Sequence, residues 1–182
     1  MKKLIFLKAY LKGFLVSGRR IQNNSSQKNR YRDYGILNPS IGTANLGDLI
    51  IYESVYNKLR NIYPDDLFTD FPTQLFTSHD AMSLMNERDL LFVSGTNLLS
   101  SNLERIFQWK IHFRHKAFLK NKVVLMGCGW WQYQGEINKY TAAIYKTILS
   151  KDVLHSVRDE YTANKLRSIG IDNVIPSKKF IP

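Results

Sequence analysis

Four short stretches place polar, charged or glycine residues where a ligand could be met. In "GTANLGD", residues 42–48, Gly42 and Gly47 let a backbone come close to a ligand. A helix starting there offers free N–H groups and a positive dipole end, which suit a phosphate. Asp48 falls two turns before Val55 and shares its side of that helix, so its carboxylate points to the sheet edge. The alternative is structural: Asn45 caps the helix and Asp48 satisfies its first turn. In "SGTNLLS", residues 94–100, Gly95, Thr96 and Asn97 bring a hydroxyl and an amide to the end of an apolar run. An ordinary strand-to-helix turn reads the same way. In "GCGWWQYQG", residues 127–135, aromatic faces at a strand end suit a sugar or a base. They equally suit packing against the sheet edge. Cys128 between two glycines reads as buried and inert. The fourth stretch is "SVRDEYTANKLRSIGIDNVIP", residues 156–176. Arg158 closes a short apolar run and Asp159 is a natural helix cap. An arginine fork there can grip a carboxylate or a phosphate at two points. It can also pair with an acid of the chain itself.

These loops need a scaffold, and the hydropathy pattern supplies one. Short apolar runs at 34–37, 66–72, 89–95, 122–129, 153–157 and 173–175 read as strands. Helical stretches at 46–62, 78–88, 103–119, 136–150 and 159–170 lie between them. Ile51, Val55, Leu59 and Ile62 form the apolar stripe of the first. Ser78 is the cap of the second, and Gly170 ends the last. Such alternation predicts an α/β fold, a Rossmann-like parallel sheet with helices on both faces. Ligands of these sheets bind at the carboxyl ends of the strands, which directs attention to the loops after Leu37, Val93, Met126 and Val157.

Composition narrows the class. The 182 residues are 44% hydrophobic and 13% aromatic, a globular composition. The net charge is +11, yet residues 1–33 hold nine Lys/Arg against one acid. The chain therefore divides into a basic arm and linker, 1–33, and a body, 34–182. Lys8 and Lys12 interrupt the apolar run of the arm, so it is not a secretory signal. Wound as a helix, residues 1–20 could lie on an anionic membrane surface or pack on a core. A single cysteine excludes an internal disulfide and points to a reducing, cytoplasmic setting. No nucleic-acid-reading module is present in the pattern, so no nucleic acid partner is expected. His112 and His115 stand three apart without a third ligand, so no metal site is expected.

"GTANLGDLIIYESV" (42–55), "DLLFVSGTNLLS" (89–100), "KVVLMGCG" (122–129) and "HSVRDEYTANKLRSIGIDNV" (155–174) occur in an order that resembles the polysaccharide pyruvyl transferase family. The resemblance implies the N-terminal half of a glycosyltransferase-B-type arrangement, with a second domain expected to follow. It implies transfer of a pyruvyl group from phosphoenolpyruvate, a donor substrate rather than a cofactor, to a glycan or lipid-linked sugar at the inner face of a membrane. Arg158 would then belong to the phosphoenolpyruvate site. Asn45, Gly47 and Asp48 match an N-x-G-D loop, and Gly95 matches a glycine-rich loop, where "SGTN" departs by having one glycine instead of several. Ketal formation needs proton transfer, for which Asp48 is the candidate catalytic group. Two other readings stay open: a nucleotide-sugar-binding domain of glycosyltransferase type, and a non-catalytic, truncated homologue with an exposed apolar face.

Overall fold

A computed structural model describes residues 32–106 and 108–177. The reading of residues 1–20 as a membrane-active arm lies outside these. The strands are β1 (Asp33–Asn38), β2 (Leu67–Pro72), β3 (Leu91–Ser94), β4 (Asn97–Leu99), β5 (Val123–Trp130), β6 (His155–Val157) and β7 (Val174–Pro176). The helices are α1 (Leu46–Ile62), α2 (His79–Glu87), α3 (Lys139–Ile148) and α4 (Glu160–Arg167). All strand pairings are parallel, in the order β2-β1-β3-β5-β6-β7, with β4 added beside the end of β5.

The strands bury both faces, which is why they read as continuous apolar runs. On one face Ile36, Phe92 and Val124 pack with Tyr34 and with Leu59 of α1. On the other Leu37, Val93, Val123 and Leu125 meet Met82 and Met85 of α2, Ile144 and Ile148 of α3, and Leu166 of α4. Helices thus cover both faces, as the alternation predicts. Each helix begins on a side-chain cap: Asn45, Ser78, Asn138 and Asp159 accept from amides of the first turn. Gly170, at φ +77°, closes the turn after α4, and Ile171 donates back to the Leu166 carbonyl at 3.1 Å.

Three expectations are corrected. Residues 103–119 are not a helix. They form turns and one 3₁₀ segment, Phe113–Ala117. Trp109 and Ile111 are both buried, an every-second-residue pattern no helix can satisfy. The Lys110 amide is drawn to the Thr73 carbonyl at 2.9 Å, and the stretch is rich in β-branched and aromatic residues of low helix propensity. Residues 97–99 form a strand where a loop or strand-to-helix turn is expected, and β5 runs on to Trp130 to pair with them. The pairing of β5 with β6 shifts register between Met126 and Cys128, where Gly127 takes φ +69°. Ile62, at the end of the α1 stripe, is 51% exposed, although Leu59 in the same turn is buried.

Candidate functional site

The strand order reverses between β1 and β3. The chain leaves β1 to build β2 on one side, then returns to place β3 on the other. Such a switch point opens a crevice at the carboxyl ends of the strands. A cleft of about 370 Å³ lies there, lined by residues that include Thr43, Asn45, Gly47, Asp48, Gln74, Thr96, Asn97, Gln108, Trp131 and Arg158. Residues from loops far apart in sequence thus meet in one place.

Asp48 sits in the first turn of α1 and is only 4% exposed. Its Oδ1 accepts from the Thr96 hydroxyl at 2.8 Å, and its Oδ2 from the Gln74 amide at 3.5 Å. Two neutral donors hold it, and no cation forms an ion pair with it among the described residues. Gly95 (φ +71°) and Thr96 (φ +60°) are both left-handed. For the β-branched Thr96 that conformation is costly, and its hydroxyl bond to Asp48 helps hold it. Gly95 does not line the cleft. It lies against α1, where any side chain would strike the Ile51 Cγ2 methyl. Its role is to let α1 approach the end of β3 and bring Asp48 to Thr96.

Arg158 leaves the end of β6 with its backbone N–H on the Cys128 carbonyl at 2.8 Å. Its exposed guanidinium donates to Asn97 Oδ1 at 2.6 Å. No acid pairs with it among the described residues, so the alternative of an internal ion pair is not what the fold builds. Gly129 runs beneath this couple: a Cβ there would collide with Asn97 Oδ1 and lie 3.2 Å from Arg158 Cδ. A glycine at this point of β5 lets Asn97 and Arg158 meet.

The start of α1 is less open than the loop composition suggests. Asn45 Oδ1 accepts from the Gly47 amide at 3.0 Å, and the Asp48 amide is bound to the Asn45 carbonyl at 3.1 Å. Asn45 is therefore a cap, and Gly47 has spent its amide on it. Asp48 does not cap its own helix, because its carboxylate turns to Thr96. Trp130 is buried, edge-on to Tyr145 at 6.1 Å, so its reading is packing. Trp131 is half-buried and lines the cleft. Cys128 is fully buried, and burial pushes its thiol up to about 12, which fits an inert residue. His155 lies inside β6. Among the described residues no three His, Cys, Asp or Glu side chains gather to hold a metal.

Two cleft residues escaped the sequence reading. Gln74 follows the carboxyl end of β2, where the rule that directs attention to strand ends could have found it. Gln108 carried no signal, because it belongs to the irregular stretch 103–119.

The fold is a parallel α/β sheet whose switch-point crevice holds a buried carboxylate, Asp48, and an arginine, Arg158, without an acid partner among the described residues. The family model described as Polysaccharide pyruvyl transferase matches residues 45–177, from the cap of α1 to just beyond β7. The chain belongs to the polysaccharide pyruvyl transferase family. Comparison with curated proteins and with solved structures returned no match.

Proposed function

We propose that the cleft binds phosphoenolpyruvate and transfers its pyruvyl group to two hydroxyls of a sugar, as a ketal. The observation that carries this reading is the Arg158 guanidinium, held by Asn97 at the cleft and free of any acid partner among the described residues. One of its N–H groups is spent on Asn97. The others suit the carboxylate or phosphate of the donor. In the reaction the methylene carbon gains a proton, two C–O bonds form at the neighbouring carbon, and the C–O bond to phosphate breaks. One hydroxyl proton ends on the new methyl group and the other on the released phosphate. Asp48 is the proton carrier of this scheme. Thr96 and Gln74 fix the direction of its oxygens. Trp131 offers a ring on which the sugar could rest.

The test is incubation of the full chain with phosphoenolpyruvate and saccharides bearing paired hydroxyls. Acceptor-dependent release of inorganic phosphate, with a matching mass gain on the glycan, is the expected result. Binding of a nucleotide sugar without any binding of phosphoenolpyruvate would favour the glycosyltransferase-type reading instead. Phosphoenolpyruvate binding without turnover would leave a donor-binding, non-catalytic homologue.

A further inference from the structure

Residues 105–135 hold six Lys/Arg and no Asp or Glu, while the rest of 34–182 carries eleven Lys/Arg against fourteen Asp/Glu. The fold gathers the middle of this basic stretch on one surface beside the cleft. Phe76 is 72% exposed and stacks flat on the His112 ring, with centroids 5.9 Å apart. The Lys110 ammonium stands 5.5 Å above the same Phe76 ring. Lys116 lies 3.5 Å from the centre of the Phe113 ring, which packs on Tyr140 at 5.7 Å. A hollow of about 360 Å³ opens between His112, Phe113, Arg114, His115 and Tyr140. Leu75 and Phe113 are also exposed large apolar residues.

Cations alone would serve a soluble anion. This surface adds two phenylalanine rings and a leucine, whose exposure is relieved only by something apolar. The ammonium groups of Lys110 and Lys116 stand over those rings, so cation and exposed apolar surface are presented side by side. We propose that this surface docks on an anionic lipid bilayer. Phe76 and Phe113 enter the boundary between headgroups and acyl chains, and Lys110, Arg114 and Lys116 meet lipid phosphates. Phe76 follows the cleft residue Gln74 by two positions and Lys110 follows the cleft residue Gln108 by two, so this surface lies within two residues of chain from the cleft on both sides. Docking would therefore hold the cleft beside the membrane, where a lipid-borne sugar would be presented. That last consequence rests on the proposed function, whereas the docking does not.

The experiment is sedimentation of the full chain with vesicles of phosphatidylcholine alone or mixed with phosphatidylglycerol. It compares wild type with Lys110→Ala/Arg114→Ala/Lys116→Ala, with Phe76→Ser/Phe113→Ser, and with Lys2→Ala/Lys3→Ala/Lys8→Ala/Lys12→Ala in the arm. Thermal unfolding checks that each variant folds, and Phe76→Ser alone replaces the ring pair if that pair does not. The expected result is binding only to the anionic vesicles, weakened about tenfold or more by the charge variant and clearly by the ring variant. Unchanged binding in both body variants, with loss only in the arm variant, would overturn the proposal. So would retention by the ring variant with loss by the charge variant, which describes a surface for a soluble polyanion. Because no turnover is measured, failure here is distinguishable from failure of the proposed reaction.

Discussion

At the residue scale the account rests on Asp48 and Arg158, which are given different tasks. Asp48→Asn keeps the size and an acceptor for the Thr96 hydroxyl, loses the second acceptor that faces the Gln74 amide, and removes the titratable carboxyl group. Turnover is expected to fall about 10²-fold or more while phosphoenolpyruvate affinity changes little, read from steady-state rates beside calorimetric titration. Arg158→Lys keeps the charge and loses the planar fork, so the same titration should show weaker donor binding. Gly129→Ala tests the positioning of that arginine. Its methyl group would displace Asn97, so donor binding is expected to weaken in a protein whose sheet is otherwise intact. An Ala variant with native affinity would separate Asn97 from the site.

At the element scale the lesson is which sequence signals survive folding. The α1, α2 and α4 caps were legible because Asn45, Ser78 and Asp159 are short acceptors placed just before apolar-periodic runs. The meeting of Asp48 with Thr96 was not legible, because it depends on Gly95 letting α1 close on β3. The strand β4 was missed since three residues between two turns carry no period, and its partner, the end of β5, is far away in sequence. The false helix at 103–119 shows tertiary context at work, where the Thr73 carbonyl outcompetes a helical partner for the Lys110 amide. One buried element also sets a pH dependence. His155 accepts the Leu125 amide on Nδ1 at 3.1 Å, and its Nε2 faces the Ser150 carbonyl at 2.9 Å. Burial lowers its pKa below the ordinary histidine value of 6.5. The folded chain therefore resists a proton that the unfolded chain accepts. Its contribution to stability is full above pH 6.5 and falls as the pH drops below that value. Thermal midpoints measured across this window should decline more steeply for wild type than for His155→Gln. Parallel declines would contradict the assignment.

For the whole molecule, a parallel sheet with helices on both faces, and a ligand site at the carboxyl ends of its strands, were implied by the alternation of strands and helices, whereas the strand order was not. Which loops close on one another was not. Large apolar side chains stand exposed: Leu46 at 74%, Ile50 at 66% and Tyr133 at 88%. Surfaces of this kind associate. The purified chain is expected to bind a hydrophobic dye in its native state and to sediment as a concentration-dependent mixture. A monodisperse monomer without dye binding would show that this surface is tolerated by water as it stands. No helix among the described residues is long and apolar enough to cross a membrane.

The central claim is that the switch-point cleft is a phosphoenolpyruvate site gripped by Arg158. Its most direct test is calorimetric titration of the full chain with phosphoenolpyruvate, repeated on Arg158→Ala with its fold checked by thermal unfolding. The account predicts saturable binding of one donor per chain, weakened about tenfold or more in the variant. Absence of binding to the wild type, or equal binding by both proteins, would contradict it.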